Sequence, residues 1–510
     1  MKSKISPYLK LGRATELSGV DYFLYRILEI LPGFLAWTTL ILIFYFSYKA
    51  PMYAAYFIIA FSVYWILKTV YLSVHLQHNW QRIKRNLAIN WKDMLSHLKY
   101  EHIRHLVVLP YYNESEEVVE KSITALLSAN YDSKNIFVVL ASEERAGENA
   151  REIGQKVLEK YSSRFGDFIL TVHPKNIQGE MPGKGSNIAY ATEKSRTEIL
   201  DKLNIKYEDV IVSAFDIDSV AYSDYFNCLT WYFLTHPNPL KVSFQPVPFY
   251  NNNIWDAPAL SRVAATSSTF WQMIQQERPE KLATFSSHAM SFKALYDIDY
   301  WQVNMVSEDS RIYWNLFIAN DGDYDVVPIS YPVSMDANLD TSIWKTFINI
   351  YKQHRRWGYG CENIPYILFN FIKNPRIPFI KKISATFVQI EGFWSLSTNP
   401  LIIFLLGWLP VMIGGQHFNA TVLSYNLPFI ARDLMLFAMS GLILSAWITL
   451  SFLPPMPENY KKSKKVFMVL QWLLFPINVI IFSAIPGLEA QTRLMLGKYM
   501  GFWVTPKHRK

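Results

Sequence analysis

Cysteine is almost absent from this chain, which has only Cys228 and Cys361 among its 510 residues. Two cysteines cannot form a disulfide framework, and their separation is not that of zinc ligands. Isolated cysteines of this kind are most often ordinary core residues. The composition therefore excludes a small disulfide-stabilised domain and a cysteine-based zinc site, and the length predicts two or more structural units.

Charged residues are also scarce, at 18% of the chain, compared with about 25% in soluble globular proteins. Hydrophobic residues make up 51% and aromatic residues 16%, so part of the chain is predicted to lie in lipid. The net charge of +8 coincides with no nucleic-acid motif, and no nucleic-acid partner is expected. Basic residues instead adjoin apolar segments, which is typical of contact with anionic headgroups, as at Lys461, Lys462, Lys464 and Lys465.

Five segments are long and apolar enough to cross a bilayer, for which about 20 residues are needed. They comprise residues 30–48, 52–72, 396–414, 434–453 and 466–488. The first is too long for a signal peptide and lacks a small-residue cleavage site, so it is predicted to be a retained anchor. Lys68, near the end of the second, can extend its ammonium group to the interface.

The basic residues predict the orientation of these segments, because they concentrate on the cytoplasmic side. The N-terminus carries Lys2, Lys4, Lys10 and Arg13, whereas residues 415–427 contain no lysine or arginine. The central region is therefore expected in the cytoplasm. A fifth full crossing would place the basic tail outside, and Pro476 and Pro486 are equally compatible with a re-entrant segment. That tail contains Arg493, Lys498, Lys507, Arg509 and Lys510.

The region between the second and third apolar segments has a different pattern. Strands are predicted at residues 105–110, 135–140, 168–172 and 210–215, and helices at 114–129 and 148–161. Strands that alternate with helices are typical of an α/β domain with a mostly parallel sheet. The predicted units are an N-terminal one (1–99), the α/β domain (100–340), a helical connection (341–392) and a C-terminal apolar region (393–510).

Asp216 and Asp218 follow the fourth predicted strand. Alternate residues of an extended chain point to the same side, so the two carboxylates can converge on one cation. Ligands of open α/β sheets bind at the carboxyl ends of strands, and Mg²⁺ or Mn²⁺ prefers carboxylate oxygens. By itself, however, a D-x-D pattern is more typical of a solvated turn.

Four further motifs occur with the D-x-D pattern in a fixed order. They are Leu109-Pro110-Tyr111-Tyr112-Asn113-Glu114, Gly183-Lys184-Gly185-Ser186-Asn187, Ser307-Glu308-Asp309 and Gln353-His354-Arg355-Arg356-Trp357. The ordered set resembles the family 2 glycosyltransferases with a GT-A fold (Rossmann-like, with a mostly parallel sheet). In particular, it looks like the membrane-integrated branch that includes cellulose, chitin and hyaluronan synthases. The resemblance covers roughly residues 100–370.

This resemblance implies the catalytic groups. Asp216 and Asp218 would bind the metal ion and the diphosphate. Asp309 would be the catalytic base, with Glu308 beside it. Residues that would contact the diphosphate or the acceptor from an interfacial helix are Gln353, Arg356 and Trp357.

The resemblance also implies a nucleotide pocket and an acceptor loop. The pocket residues would be Pro110, Tyr112, Glu114, Lys184 and Asn187. Glu143 stands where relatives have an Asp-Asp pair, so it would take over base or ribose recognition, or the pocket is built differently. His288 lies where relatives have an acceptor loop.

Several of these residues have structural alternatives. Asp309 can cap the helix that follows it, Glu114 can stabilise the first turn of its helix, and Lys184 can be a surface lysine. Arg355 and Arg356 can face headgroups, and His288 is at least as typical of a satisfied core histidine.

The resemblance implies an inverting, Mg²⁺- or Mn²⁺-dependent transfer of a hexose or N-acetylhexosamine from a UDP-sugar to a growing polysaccharide. The alternative acceptor is a polyprenyl phosphate or another lipid, and a third interpretation is an inactive transporter or scaffold. Four tryptophans can line a glycan path and are equally typical of an aromatic belt at the bilayer: Trp394, Trp408, Trp447 and Trp472. The sequence specifies no oligomeric state.

Overall fold

The computed structural model describes residues 6–439, 441–458 and 460–506. Lys2, Lys4, Lys507, Arg509 and Lys510, which entered the predicted orientation, lie outside these residues. The described chain begins with three helices: α1 (Gly19–Lys49), α2 (Pro51–Ala88) and α3 (Trp91–Ser96).

The central region is an eight-stranded sheet with helices on both faces. Its strands are β1 (Arg104–Pro110), β2 (Ile136–Glu143), β3 (Asp167–His173), β4 (Val210–Ala214), β5 (Val220–Ala221), β6 (Val242–Tyr250), β7 (Ala289–Ser291) and β8 (Asp325–Met335). Its helices are α4 (Glu116–Leu127), α5 (Glu148–Tyr161), α6 (Lys184–Ser195), α7 (Tyr225–Thr235), α8 (Ala259–Gln276), α9 (Phe292–Asp297) and α10 (Glu308–Ala319).

The strand order is β3-β2-β1-β4-β7-β6-β8-β5. Four of the seven pairings are parallel, because β7 lies antiparallel between β4 and β6 and β5 pairs antiparallel with β8. The predicted α/β fold is thus confirmed, and the four predicted strands correspond to β1–β4. The order also brings the carboxyl ends of β1 and β4 side by side, next to the start of β7.

Apolar side chains on alternate faces of the central strands explain why the sheet is buried on both sides. In β1, Val107 and Leu109 belong to one core cluster, whereas Leu106 and Val108 belong to the opposite one. All four are fully buried. Such a continuous run of apolar residues is expected of a parallel strand that is covered by helices on both faces.

In the described part of the chain, ten more helices follow the sheet. Their bounds are α11 (Ile343–Gly358), α12 (Asn363–Lys373), α13 (Phe379–Phe404), α14 (Leu409–Ile413), α15 (Gly415–Asn419), α16 (Val422–Met439), α17 (Gly441–Ser451), α18 (Ser463–Leu470), α19 (Phe475–Val479) and α20 (Ile485–Met495).

Within the described residues, three helical segments are long and apolar enough to cross a membrane. They are Gly19–Lys49, Pro51–Ala88 and Ser463–Met495, and a bent pair, Phe379–Phe404 with Leu406–Ile413, passes the same test with a 50° break. These correspond to four of the five predicted segments. The fifth, 434–453, contains residue 440, which lies outside the described residues, and α16 and α17 end on either side of it.

The helix α2 continues beyond its apolar part and is anchored on the sheet domain. The Asn79 amide donates to Glu277 Oε1 at 2.9 Å and to Ser330 Oγ at 3.1 Å. About two turns further on, the Asn86 amide donates to the carbonyl oxygens of Ile329 and Ser330. Since Ile329 and Ser330 belong to β8, α2 is fixed directly to the sheet.

Candidate active site

A single cavity of about 900 Å³ opens at the carboxyl ends of β1 and β4 and continues between the apolar helices. It is lined by thirteen of the fourteen predicted site residues: Pro110, Tyr112, Glu114, Glu143, Lys184, Asn187, Asp216, Asp218, Glu308, Asp309, Gln353, Arg356 and Trp357. Residues that are more than two hundred positions apart in the sequence thus line the same cavity.

Lys184 lies at the centre of the polar end of this cavity. Its Nζ donates to Asp216 Oδ1 at 2.6 Å and to the two carboxylate oxygens of Asp309 at 2.9 and 3.0 Å. The side chain is only 8% exposed, so the predicted alternative of a surface lysine is wrong. One ammonium group thus joins the first carboxylate of the D-x-D pattern to the predicted base.

The electrostatic balance around Lys184 favours its charged form. Burial by itself would lower the pKa of Lys184, but the carboxylates of Asp216, Asp309 and Glu308 outweigh it and raise that pKa. The lysine is therefore a permanent cation within a group of acidic side chains.

Lys184 reaches this position because it begins α6 directly after Gly183. A Cβ atom at Gly183 would lie 2.6 Å from the ring of Phe502, in the C-terminal segment. Only a glycine allows the two segments to approach so closely.

Asp216 and Asp218 are held in different ways. Asp216 Oδ2 accepts a hydrogen bond from Ser286 Oγ at 2.8 Å, in addition to the one from Lys184. Asp218 is fully buried, and its Oδ2 accepts from the backbone amide of Asp336 at 2.9 Å. The first carboxylate is therefore positioned by side chains and the second by the end of β8.

Asp309 is the second residue of α10, and the N-cap of that helix is Ser307. The alternative in which Asp309 caps the helix is therefore wrong. Its neighbour Glu308 is almost fully buried, and both of its carboxylate oxygens are without a hydrogen-bond partner among the described residues. Burial, followed by the charge of Asp309, raises the pKa of Glu308, which favours the neutral carboxylic acid.

His288 is the one predicted site residue that does not line the cavity. Its Nδ1 is 2.7 Å from the carbonyl oxygen of Phe285, and Trp301 Nε1 donates to its Nε2 at 3.3 Å. Both ring nitrogens are thus satisfied in the neutral form, and burial lowers the pKa of His288. Although Nδ1 lies 3.8 Å from Asp309 Oδ1, the geometry fits a core histidine behind the cavity wall, which corrects its assignment to acceptor contact.

The predicted nucleotide pocket is built around the ends of β1 and β2. Glu143 forms an ion pair with Arg145, with 2.6 Å between Oε2 and Nε, and the Arg145 guanidinium lies 4.7 Å from the centroid of the Tyr112 ring. Glu114 Oε2 accepts from the Tyr112 amide at 2.6 Å. Glu114 precedes α4, which begins at Glu116, so it stabilises the loop rather than a helical turn.

Asn187 connects α6 to the sheet. Its Nδ2 donates to the carbonyl oxygen of Ala141 in β2 at 2.8 Å, whereas its Oδ1 is buried without a partner among the described residues. The amide nitrogen of Asn187 thus joins α6 to β2. Its carbonyl oxygen remains available as an acceptor in a residue that lines the cavity.

The helix α11 carries Gln353, Arg356 and Trp357 to the opposite wall. The Arg356 guanidinium lies 4.7 Å from the centroid of the Phe502 ring. Arg355 points elsewhere and pairs with Glu489, with 2.7 Å between Nη1 and Oε1. The interpretation that both arginines simply face headgroups is therefore wrong for each of them.

Sequence reasoning missed several residues of the cavity. Ser286 holds Asp216, and its position two residues before His288 in the predicted acceptor loop was a usable signal. Phe502, Val504 and Thr505 line the cavity from the C-terminal segment, and no local pattern indicated them. Of the four predicted tryptophans, Trp408 and Trp472 line the cavity, whereas Trp394 donates to Thr39 Oγ1.

A metal ion would be held here by two protein carboxylates. Within the described part of the chain, no group of three or more His, Cys, Asp or Glu side chains is arranged around a common point. Mg²⁺ and Mn²⁺ are, however, commonly bound through one or two carboxylates and the phosphates of a substrate. Asp216 and Asp218, at the wall of one polar cavity, fit that mode of binding.

Residues 211–456 match the family model described as glycosyl transferase family group 2. The match begins in β4, includes both aspartates and Asp309, and extends through the α11 motif. Just under half of the chain is thus similar to this glycosyltransferase family. The prediction of a glycosyltransferase, and of family 2 in particular, is thereby confirmed.

Known proteins similar to this glycosyltransferase include a poly-β-1,6-N-acetyl-D-glucosamine synthase of Staphylococcus epidermidis. It is 22% identical over 381 residues, which are 74% of this chain and 80% of the relative. Among solved structures, a mannosyltransferase of Pyrobaculum calidifontis in complex with GDP-Man and Mn²⁺ is 12% identical, with a TM-score of 0.45 over 87% of this chain and 100% of that one. Residues 1–349 of TarS from S. aureus are 10% identical, with a TM-score of 0.38 over 69% and 91% of the two chains.

Proposed function

We propose that this glycosyltransferase moves a hexose or N-acetylhexosamine from a UDP-sugar to the hydroxyl group of a growing polysaccharide, with inversion at the anomeric carbon. The observation that carries the proposal is that Asp216, Asp218, Asp309 and Arg356 line one cavity, which continues between apolar helices. The name of the S. epidermidis relative supports an N-acetylglucosamine donor and a glycan acceptor.

In this mechanism Asp309 is the general base. Its carboxylate accepts the proton of the acceptor hydroxyl as the oxygen attacks the anomeric carbon. A single displacement breaks the bond to the diphosphate and inverts the anomeric centre, so no second nucleophilic carboxylate is required. Lys184, which binds both Asp309 oxygens, orients the base.

The departing diphosphate gains negative charge as the bond breaks. Arg356 is placed to stabilise it, because a guanidinium group matches phosphate geometry and an oriented cation is most effective in a cavity with little water. Asp216 and Asp218 would hold Mg²⁺ or Mn²⁺, and the ion would supply further neutralisation of the diphosphate. Trp357 offers a flat apolar face to a sugar ring.

We place the enzyme in a bilayer, with the α/β domain in the cytoplasm, where nucleotide sugars are available. The candidate spans α1 and α2 and the segment Ser463–Met495 support this placement, as do the exposed apolar side chains of α11, including Trp344 at 77% exposure. The helix α11 would then lie at the interface with its polar face towards the cavity.

The decisive experiment measures turnover of the purified protein in lipid with a panel of nucleotide sugars. Transfer should require Mg²⁺ or Mn²⁺, and the size of the product identifies the acceptor. Long products support polysaccharide synthesis, whereas a single lipid-linked sugar would support the alternative of a polyprenyl-phosphate acceptor.

The Asp309→Asn variant tests the assignment of the base. It should abolish turnover and leave UDP binding largely intact, whereas Asp325→Asn, an exposed aspartate at the start of β8, should behave as the wild type. Retained turnover in Asp309→Asn would remove Asp309 from the role of base.

A further inference from the structure

A second group of charged side chains lines the same cavity, and the proposed chemistry uses none of them. Lys68 belongs to α2, Arg278 and Lys281 follow α8, and Glu391 belongs to α13. The segment that contains Lys281 continues along the cavity wall to Ser286, which binds Asp216. Since five residues span at most about 18 Å, the backbone of Lys281 lies within that distance of the backbone of Ser286.

Arg278 is the most unusual member of the group. Its side chain is only 8% exposed, and the nearest carboxylate, Glu280, is 3.9 Å away and itself 60% exposed. The buried Nε has no hydrogen-bond partner among the described residues, and the guanidinium lies 5.6 Å from the ring centroid of Tyr71. A buried N–H group without an acceptor is costly, and an anionic ligand would supply the acceptor that this guanidinium lacks.

The group carries an excess of positive charge. Lys68 Nζ and Glu391 Oε1 are 2.5 Å apart, and the same carboxylate oxygen accepts from Ser395 Oγ at 3.0 Å. Glu391 is thus already neutralised. Burial, followed by the charges of Arg278 and Lys68, lowers the pKa of Lys281, and Glu391 offsets this only in part. Among the described residues, the other carboxylate close to Arg278 and Lys281 is that of Glu280, which is 60% exposed and lies 3.9 Å from Arg278 Nε.

The surroundings of the group are apolar. The lining of the same cavity includes Ile66, Leu72, Trp271 and Phe475. Lys68 lies at the end of the apolar stretch of α2, eleven residues before Asn79, which is bonded to the sheet domain. At a rise of about 1.5 Å per residue, Lys68 is about 17 Å from that anchor. The group thus lies where the apolar helices meet the polar domain.

We propose that Arg278, Lys281 and Lys68 form a subsite for the phosphate group of a membrane lipid. The guanidinium of Arg278 would bind two phosphate oxygens, which is the geometry that arginine favours. The hydrocarbon chain would lie among the apolar helices, in the part of the cavity that the proposed donor site leaves open. A resident phospholipid and a lipid-phosphate acceptor both carry a phosphate group on a hydrocarbon chain, so either could occupy the subsite.

The test measures lipid binding rather than turnover, so its outcome does not depend on the proposed function. Wild-type protein in neutral phosphatidylcholine nanodiscs should bind a fluorescent phosphatidic acid probe, and excess phosphatidylcholine should not displace it. Arg278→Gln and Lys281→Gln should each weaken this binding, Arg278→Gln by about tenfold or more. The unfolding temperature of each variant reports whether it is folded.

Arg85→Gln is the matched control, because Arg85 is an exposed arginine on α2 outside the cavity. It should bind the probe as the wild type does. Equal losses in Arg85→Gln and Arg278→Gln, or no loss in Arg278→Gln, would overturn the subsite.

Mass spectrometry of the lipid that remains bound separates the two sources. An unmodified phospholipid indicates a resident lipid, and added decaprenyl phosphate that binds in its place indicates the acceptor. Either result supports the phosphate subsite, whereas wild-type protein that retains only neutral lipid contradicts it.

Discussion

At the scale of single residues, Lys184 neutralises part of the negative charge of the acidic groups at the site. Replacing it with methionine would leave Asp216 and Asp309 without the cation that joins them. We expect a loss of about 3 kcal/mol in the free energy of unfolding and of about 100-fold or more in turnover. Chemical denaturation and a sugar-transfer assay measure the two effects. Lys202→Met, at an exposed position after α6, should change neither, and normal turnover in Lys184→Met would contradict the role of this lysine.

Glu308 gives the protein a specific pH dependence. Burial, followed by the charge of Asp309, raises its pKa above the usual 4.5, so the folded state favours the neutral acid. The stability that Glu308 contributes is therefore complete below pH 4.5 and is lost as the pH rises through the raised value. The glutamine side chain of Glu308→Gln is neutral at every pH. The unfolding temperature of this variant should therefore decrease less than that of the wild type when the pH is raised from acidic to alkaline values. Parallel curves of unfolding temperature against pH for the two proteins would argue against a raised pKa.

At the scale of elements, the C-terminal segment and α6 form one wall of the cavity. Gly183→Ala would place a methyl group 2.6 Å from the Phe502 ring and should displace the segment from Lys184 and Arg356. We expect faster proteolysis of the C-terminus and about tenfold lower turnover, on the order of the effect of a misplaced catalytic group. Gly501→Ala, where an added Cβ meets nothing within 4 Å, is the control. Equal proteolysis of both variants would show that the contact does not hold the segment.

The elements also show what the sequence could predict. The strands β1, β2 and β4 are predictable from the sequence because their apolar runs are buried on both faces. The predicted helix 148–161 has the bounds of α5. The strand β7 is only three residues long, and β5 only two, so neither has a detectable period. The site motifs were found because each is local, whereas the contacts of Lys184, Ser286 and Phe502 depend on chain segments that are distant in sequence.

At the scale of the whole molecule, the orientation in the bilayer can be tested with cysteines. Cys228 and Cys361 are fully buried, and burial raises the pKa of both thiols, so neither should react with a membrane-impermeant maleimide. Lys202→Cys and Lys461→Cys should be labelled from the cytoplasmic side of sealed vesicles, and Gln416→Cys only from the other. Labelling of Gln416→Cys from the same side as Lys202→Cys would contradict the proposed topology.

The anchoring of α2 has a consequence for how the enzyme responds to its bilayer. One continuous helix joins the apolar layer to Ser330, and the strand that contains Ser330 ends where the Asp336 amide holds Asp218. A thicker or thinner hydrocarbon layer tilts a helix whose length is fixed, and here that tilt is applied to the strand that positions a metal-binding carboxylate. Turnover should therefore vary with the acyl-chain length of the surrounding lipid even when the headgroup is unchanged, and identical rates in short- and long-chain bilayers would exclude this mechanical coupling.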